Sequence, residues 1–558
     1  MATRPAETDD GETKFPIAFP RPAPPPRTAH LDTAHHGDIR GALGTIAEDD
    51  FSKRVTWRQR LLTLLAIVGP GLIVMVGDND AGAFGTYTQA GQNYGTSLLW
   101  TLLLLVPVLY VNQEMVLRLG AVTGVGHARL IFERFGKFWG AFSVIDLFLL
   151  NALTIITEFI GISLGLDYLG LPKLWGVAAA AIVTVIAAST GSFRRFERFM
   201  LMLVAGSFAL VPIVFIAHPP LGQIAHDLVV PRLPHGKLAD IMLLIIAIVG
   251  TTVAPWQLFF QQSYIIDKRI TPRFMNYGRI DLWIGIAIVI VGAVAMTAFT
   301  YATFAGTAAF GHFSDAGAVA VGLEQRFGQL PGILFAVALI DASIIGAGAV
   351  SLATAYAVSD VFKINHSLHR KPTEAIGFYV IYGGLIALAA ALVLIPGTPL
   401  GLLTSAVQTL AGVLLPSATV FLLLLCNDKQ VLGPWVNGRW LNLFTGAVVW
   451  VLVLLSVILT AATFYPDLGE TVILGVLGGG SAVALVVWTG LTLLRGNRAE
   501  AIDRTGRERW QMPPLAQLTT PGLSPLRRVW MGVLRGYLVI ATGLVLFRII
   551  DLAVNHVS

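Results

Sequence analysis

The chain has 558 residues, of which 55% are hydrophobic and 13% are charged, and its mean hydropathy is +0.72. Soluble domains carry roughly 25% charged residues, so this composition excludes a soluble globular protein and indicates a polytopic helical membrane protein. The single cysteine, Cys426, excludes a disulfide framework and a cysteine-based metal cluster, and the net charge of +5, spread between apolar runs, indicates membrane topology and not nucleic-acid binding.

The two ends of the chain are predicted to lie outside the helical bundle. Residues 1–55 are polar, include the proline-rich stretch PRPAPPPR at 20–27 and contain no apolar core of the signal-peptide kind. They are therefore predicted to form a disordered cytosolic tail. Residues 495–558 are predicted to form a cytosolic linker and a membrane-associated segment. The apolar stretch 529–554 within them is interrupted by three charges, which favours an interfacial helix over a thirteenth span.

Between these ends, twelve apolar runs are candidates for transmembrane helices. They centre near 60–90, 95–118, 138–166, 175–192, 199–217, 240–264, 280–305, 332–360, 376–396, 403–425, 441–464 and 471–494. Basic residues cluster before the first run and after the even-numbered runs, as in RRFER at 194–198. The positive-inside rule therefore predicts a multi-pass protein of the plasma membrane with a cytoplasmic N-terminus.

Carboxylates inside the apolar runs are the first functional candidates, because an ionisable group at the bilayer centre is costly. They are Asp78, Asp80, Glu114, Asp146, Glu158 and Asp341. Their shared negative charge indicates a path for cations. For Glu114 and Asp146, near the ends of their helices, a cap or a hydrogen bond inside the bundle is the favoured interpretation. For Asp341, a place near the path and a partner within the bundle are equally favoured.

The sequence VGDNDAGAFG at 76–85 places Asp78 and Asp80 on either side of Asn79. Residues two apart on an unbroken helix point to different sides, and each glycine costs about 1 kcal/mol relative to alanine in a helix interior. A break at this depth is tolerated where it lines a cavity, and a hard cation takes carboxylate and carbonyl oxygens. The pattern predicts a cation site in a broken helix. The alternative is a packing break, with a carboxylate bonded to backbone N–H groups.

A second break is predicted in the sixth run. The sequence AIVGTTVAPWQLFFQQS at 247–263 places Pro255 in mid-span, after a glycine and two threonines. Proline removes one N–H and frees carbonyls of the preceding turn, here between Thr251 and Ala254. Inverted repeats interrupt helices at corresponding positions, and five helices separate the two breaks. The pair therefore predicts a site between two inverted repeats.

Around these two breaks the chain resembles the NRAMP family of divalent-metal transporters, over roughly residues 60–425. The stretches GPGLI at 69–73, LRLGAVTGVGHARLIFERFG at 117–136 and TSAVQTLAGVLLP at 404–416 support the likeness. The resemblance implies an all-α integral membrane protein with a LeuT-type fold, built from two inverted five-helix repeats, helices 1–5 and 6–10, and about two further helices. The expected boundaries are 56–217 and 238–426 for the repeats and 440–494 for helices 11 and 12.

The family's metal ligands carry over to this chain in part. Asp80 matches the metal-binding aspartate of the first-helix motif, and Gln408 matches a tenth-helix glutamine. The ligand asparagine has become Ala83, and the ligand methionine has become Ala254. The candidate metal-site residues are Asp80, Ala83, Thr251, Ala254 and Gln408, with Asn79 and Asp78 as further candidates.

The departures from the family pattern point to a particular ion. Thioether sulfur favours softer transition metals, while carboxylate, carbonyl and water oxygens suit Mg²⁺ and Mn²⁺. The family's two histidines read Trp256 and Gln261, and of its third-helix acidic pair Glu158 remains while the aspartate reads Ile155. The pattern resembles the prokaryotic NRAMP-related magnesium transporters, which implies uptake of Mg²⁺ and Mn²⁺ by alternating access without proton coupling. Two charges crossing 100 mV supply about 4.6 kcal/mol for such uptake.

Other functions remain as alternatives. A proton-coupled Mn²⁺/Fe²⁺ symporter of the NRAMP type is the first, and a non-transporting membrane metal sensor is the second. An organic-substrate symporter of the same fold is disfavoured because Asp80 would repel a substrate carboxylate. Metalloprotease, nucleophile-elbow and Walker motifs are absent from the sequence, so no enzyme is expected. The expected partners are divalent metal cations, as substrates and not cofactors, and the lipid bilayer, with no nucleic acid. The sequence leaves the oligomeric state open.

Overall fold

In the residues that it describes, the computed structural model has helices and one short β-hairpin as its regular elements. It describes residues 29, 31–395, 400–465, 469–495 and 504–519, together with five single positions between 532 and 547. Most of the predicted C-terminal segment 495–558, including the interfacial helix, therefore lies outside the described residues.

The helices in chain order are α1 (Trp57–Ile67), α2 (Pro70–Val76), α3 (Ala81–Tyr94), α4 (Leu99–Thr123), α5 (His127–Phe135), α6 (Lys137–Tyr168), α7 (Lys173–Ala188), α8 (Phe193–Gly206), α9 (Leu210–Ala217), α10 (Leu221–Val229), α11 (Leu238–Thr252), α12 (Pro255–Asp267), α13 (Met275–Phe304), α14 (Ala316–Phe327), α15 (Gln329–Phe362), α16 (Ile376–Val393), α17 (Leu400–Cys426), α18 (Lys429–Leu432), α19 (Arg439–Phe464) and α20 (Glu470–Arg495). Short 3₁₀ turns occupy Thr33–His35, Ser207–Ala209, Pro272–Phe274, Gly433–Trp435, Arg507–Arg509 and Leu515–Gln517. The antiparallel hairpin consists of β1 (Ile39–Arg40) and β2 (Thr45–Ile46).

All twelve predicted runs contain helix, but their lengths differ. Within the described residues, eight helical segments are long and apolar enough to cross a membrane, and ten if each of two bent helix pairs forms one span. One bent pair is α1 with α2, at an angle of 53°. The predicted fourth and twelfth spans correspond to α7 and α20, whose described apolar parts are shorter.

Both predicted helix breaks are present. The first separates α2 from α3, and Asp80 caps α3 because its carboxylate accepts a hydrogen bond of 2.9 Å from the N–H of Ala83. The second separates α11 from α12. Pro255 is the first residue of α12, where a backbone N–H has no partner inside the helix. Aspartate at a cap and proline at a first turn therefore fix where the two later half-helices begin.

A third discontinuity, between α1 and α2, was not predicted. Gly69 adopts φ +150° there, and a Cβ atom on it would lie 2.1 Å from Oε1 of Glu197. Asp281 on α13 caps the new helix by accepting hydrogen bonds from three backbone N–H groups, including that of Gly71 at 2.7 Å. The positive φ favours glycine whatever surrounds it. The cap on the following helix comes from Asp281, which is distant in the sequence, so local patterning did not reveal the bend.

The prediction of a disordered tail over 1–55 does not hold for residues 31–55. The hairpin lies against the helix ends, and the N–H of Ala42 donates to Glu197 of α8 at 2.6 Å. Arg269, just after α12, donates to the carbonyls of Ala34 and Asp38. Asp32 accepts from Arg370 at 2.6 Å. These ionic and backbone contacts order a segment whose low hydrophobicity predicted disorder. We call the side of the bundle that it covers the tail face.

Candidate metal centre

Asp80 and Gln408 lie on the same side of Gly82, beside the first break. A Cβ atom on Gly82 would stand 3.2 Å from Oδ1 of Asp80 and 1.6 Å from Nε2 of Gln408. The missing side chain at position 82 therefore leaves the space in which Gln408 of α17 lies against α3. The resulting pair combines a carboxylate with an amide, both buried.

Thr251 extends this cluster to the end of α11. Its hydroxyl donates to Oε1 of Gln408 at 2.9 Å and lies 3.3 Å from the hydroxyl of Thr86 on α3. The next residue, Thr252, makes a 2.8 Å hydrogen bond with the hydroxyl of Tyr87. The structure therefore joins both helix breaks and α17 through polar contacts. We call Asp80, Thr251 and Gln408 the central cluster.

The backbone contributes further oxygens near this cluster. Helix α11 ends at Thr252, next to Thr251, and α2 ends at Val76, four residues before Asp80. Carbonyls at a helix C-terminus carry partial negative charge. The Ala254 carbonyl lies in extended backbone and accepts from the N–H of Gln257 at 3.2 Å. Ala83, which replaces the family's ligand asparagine, donates its N–H to Asp80. Its methyl group supplies no ligand atom.

Asp78 and Asn79 bind other elements. Asp78 accepts a hydrogen bond from Nε2 of Gln257 on α12, and Oε1 of Gln257 accepts from Gln113 on α4 at 3.0 Å. Asn79 donates to the carbonyl of Val289 on α13 at 3.3 Å. The three adjacent residues Asp78, Asn79 and Asp80 therefore point their polar atoms at different helices, as expected of an unwound segment.

Glu158 of α6 lies behind the start of α3. Its Oε2 accepts from the N–H of Ala81 at 3.1 Å, while its Oε1 has no hydrogen-bond partner among the described residues. A Cβ atom on Gly346 of α15 would lie 2.6 Å from the carboxyl carbon of Glu158. A second buried carboxylate therefore adjoins the residue next to Asp80, fixed between two helices.

The cluster is closed in this conformation. Asp80, Thr251 and Gln408 are each 5% exposed or less. A cavity of about 20 Å³, enough for about one water molecule, lies alongside and is lined by Thr86, Gly85 and Asp315 among others. The described residues contain no group of three or more His, Cys, Asp or Glu side chains that could hold a metal. A cation here would therefore need amide, hydroxyl, carbonyl or water oxygens in addition to Asp80.

The remaining intramembrane carboxylates have different surroundings. Glu114 pairs with Arg118 at 3.1 Å and with Arg279 at 2.7 Å, in agreement with a partner inside the bundle. Asp341 lies against Gly206, where a Cβ atom would be 2.6 Å from its Oδ1. Asp146 has one buried oxygen without a hydrogen-bond partner among the described residues. None of the three contacts the central cluster through a described hydrogen bond or ion pair.

Sequence reasoning missed the uncharged polar residues of this region. Gln257, Gln113 and Thr86 are all buried and hydrogen-bonded to candidate residues or to their partners. These residues carry no charge, so inside an apolar run they do not stand out as the carboxylates do. A polar amide in a membrane span needs a partner, and that signal would have identified Gln257 and Gln113.

The placement of Asp78 leads to a prediction. Asp78→Asn keeps an oxygen that can accept from Gln257 and removes a buried charge, so we expect transport to stay within about threefold of wild type. Gln257→Leu instead leaves the carboxylate without its donor and is expected to lower the free energy of unfolding by about 1–3 kcal/mol. Thermal unfolding and ion-flux assays check both. Loss of transport in Asp78→Asn would show that Asp78 takes part in cation transfer.

Comparison with known proteins identifies relatives of most of the helical region. The family model described as natural resistance-associated macrophage protein-like (Nramp) matches residues 71–462. The divalent metal cation transporter MntH of Pectobacterium carotovorum is 26% identical over 418 residues, which cover 72% of this chain and 95% of that protein. The MntH protein of Bacillus subtilis is 27% identical over 453 residues, which cover 79% of this chain and 97% of that protein.

The structural comparison bears on the fold. The crystal structure of a manganese transporter from Eremococcus coleocola aligns with a TM-score of 0.61 at 20% sequence identity, covering 82% of this chain and 98% of that one. The predicted all-α, LeuT-type fold is thereby confirmed. The two helix breaks lie within the region matched by the family model.

Proposed function

The chain belongs to the Nramp family of divalent metal cation transporters, and from this premise we propose that its cation binds at the central cluster. The relatives are transporters, and this chain is a multi-pass membrane transporter and not an enzyme. The proposal concerns the ion, its ligands and its coupling to protons.

The observation that carries the proposed site is the hydrogen bond from Thr251 to Gln408. The side chains of Gln408 and Asp80 both lie close to where a Cβ atom of residue 82 would be, so the three residues are grouped together. Asp80 supplies the negative charge, and the Thr251 hydroxyl and Gln408 amide supply neutral oxygens. Carbonyls at the ends of α2 and α11 add partial negative charge, and water completes the shell. In this closed conformation Thr251 and Gln408 bond each other, so cation binding exchanges that hydrogen bond for metal coordination.

Manganese is the first candidate for the transported ion. The structural relative is a manganese transporter, and the curated relatives are divalent metal cation transporters. Mn²⁺ and Mg²⁺ both accept carboxylate, carbonyl and water oxygens, so the donor chemistry also admits Mg²⁺. The magnesium preference expected from the sequence has no support among these relatives and depends on the missing sulfur ligand at Ala254.

Proton coupling is the second open point. Of the two sequence-based hypotheses, the proton-coupled Mn²⁺ symporter fits the relatives better than the uncoupled Mg²⁺ carrier. We assign the proton to Glu158, which adjoins the start of α3 and has one carboxylate oxygen without a described partner. Uncoupled transport is the alternative, favoured by the absence of histidine at Trp256 and Gln261.

The proposed set of oxygen ligands is tested by introducing a sulfur ligand at position 254. In proteoliposomes we expect Mn²⁺ influx that is inhibited by Mg²⁺ and only weakly by Cd²⁺, because Cd²⁺ prefers sulfur ligands. Ala254→Met should lower the Cd²⁺ concentration for half-inhibition about tenfold, equivalent to about 1.4 kcal/mol of binding. Ala254→Leu is the control for side-chain size. Strong inhibition of the unmodified protein by low micromolar Cd²⁺ would contradict an all-oxygen site.

A further inference from the structure

A basic pocket on the tail face is separate from the transport site. It is formed by residues 36–38 and Arg40 of the tail, by residues 191–194 at the start of α8, and by Arg269 and His369. Its volume is about 470 Å³, within the range of small-molecule sites. Neither the central cluster nor its neighbouring cavity shares a lining residue with it.

The charge of this pocket is strongly positive. Arg40, Arg194 and Arg269 line it, against a single carboxylate, Asp38. Asp38 compensates Arg40 weakly, because the closest N–O distance between them is 3.7 Å and both side chains are largely exposed. At least two positive charges therefore face the pocket without a paired anion among its lining residues.

Two of these arginines are held in place by the tail. Arg194 donates three hydrogen bonds, to the carbonyls of Gly41 and Gly44 and to the hydroxyl of Thr45. Arg269 also donates three, to the carbonyls of Ala34 and Asp38. A guanidinium group has five N–H donors, so each retains donors while its position is fixed. Pre-positioned guanidinium groups suit the planar, bidentate recognition of oxyanions.

Positive groups crowd this pocket, and one nearby buried carboxylate, Asp267, compensates them in part. Burial and the charge of Arg40 lower the pKa of Arg269, while Asp267, Asp38 and Glu48 act in the opposite direction. Burial, Arg269 and Arg40 likewise lower the pKa of His369, against the influence of Asp267. Helix α8 adds the partial positive charge of its N-terminus. Its N-cap residue, Ser192, lines the pocket, and the Ser192 side chain makes no capping hydrogen bond to the helix.

We propose that the pocket between the tail hairpin, the start of α8 and Arg269 binds a phosphate-bearing anion. Such a ligand would contact the tail, the start of α8 and Arg269 together, and so would stabilise the tail on the helix ends. Phe193 begins an apolar span and also lines the pocket, so the phosphate can come from a lipid headgroup at the membrane surface or from a soluble compound.

The proposal is tested by binding to the purified full-length protein in non-ionic detergent. Thermal unfolding is followed at constant ionic strength and without divalent metals, against inorganic phosphate, ATP, and mixed micelles that contain either phosphatidylglycerol or phosphatidylcholine. Arg40→Gln removes one exposed guanidinium and is expected to weaken binding about tenfold. Asp38→Asn removes the opposing charge and is expected to tighten binding. Arg58→Gln, an exposed arginine on α1 outside the pocket, is the control.

A soluble ligand is supported if phosphate or ATP stabilises the protein, less in Arg40→Gln and more in Asp38→Asn than in the Arg58→Gln control. Stabilisation by phosphatidylglycerol alone supports a lipid headgroup. A merely structural role of residues 38 and 40 would not move binding in opposite directions. The proposal is overturned if none of the phosphate compounds stabilises the protein more than chloride does, or if Arg40→Gln binds as well as Arg58→Gln. Because no divalent metal is present, either result leaves the transport proposal untouched.

Discussion

Asp80→Asn is expected to reduce divalent-cation transport at least about a hundredfold while the protein still folds. Even residues that only support metal ligands cost 10- to 100-fold in metal affinity when they are changed, and Asp80 is the one carboxylate of the central cluster. Asparagine keeps an oxygen that can accept from the N–H of Ala83, so the cap on α3 is retained. Influx of Mn²⁺ into proteoliposomes, with thermal unfolding as the folding check, measures the effect.

The matched control is Asp341→Asn. Asp341 is also a carboxylate within a membrane-spanning helix, but it lies against Gly206. Its replacement is expected to leave influx within about twofold of wild type, because the carboxylate has no described hydrogen bond to the cluster. Equal losses in both variants would mean that any intramembrane carboxylate supports transport, and the assignment of Asp80 would fail.

The second large effect concerns stability, at a buried ion pair on the tail face. Lys268 at the end of α12 is fully buried, and its ammonium donates to Glu197 at 2.7 Å and to the carbonyls of Ile67 and Val68 at 2.8 Å. The other oxygen of Glu197 accepts from Ala42 of the tail. This one contact joins α12, α8, the α1–α2 bend and the tail. Lys268→Met leaves the Glu197 carboxylate buried without its cation, and we expect a loss of about 3–5 kcal/mol.

A double variant distinguishes the interaction between Lys268 and Glu197 from the other contacts of each side chain. Lys268→Met with Glu197→Leu removes both charges, so its loss should be smaller than that of Lys268→Met alone. Lys137→Met, at an exposed lysine, is expected to change stability by less than about 0.5 kcal/mol. Thermal unfolding in detergent gives the order of the variants. Additive losses in the double variant would contradict a buried, mutually dependent pair.

Much of the fold could be predicted because its causes are local. Apolar runs long enough to cross a bilayer mark the helices, proline at 255 marks the start of α12, and glycines beside Asp80 mark the first break. The bend at Gly69 and the order of the tail could not be predicted in the same way. Both depend on residues well over a hundred positions away. Asp281 caps the helix after the bend, and Glu197, Arg269 and Arg370 bind the tail. Contacts across that distance leave no periodic signal in the sequence.

The candidate site was predictable in part because some of its features are also local. Asp80 stands out as a charge in an apolar run, and Thr251 follows from the carbonyls that Pro255 frees. Gln408 was expected only from the family resemblance, and the structure places it against Gly82. Which of three adjacent polar residues faces the cluster depends on the backbone path of the unwound segment. The residue pattern alone therefore did not separate Asp80 from Asp78 and Asn79, and only the family resemblance placed Asp80 first.

The most direct test of the proposed function records Mn²⁺ influx and internal pH together in proteoliposomes held at a fixed, inside-negative membrane potential. The proteins compared are the unmodified protein, Asp80→Asn and Glu158→Gln. Our account predicts Mn²⁺ entry with internal acidification, both lost in Asp80→Asn, and acidification reduced relative to Mn²⁺ entry in Glu158→Gln. Mn²⁺ entry that persists in Asp80→Asn would contradict the proposed site. Entry without acidification in the unmodified protein would contradict proton coupling and favour the uncoupled carrier.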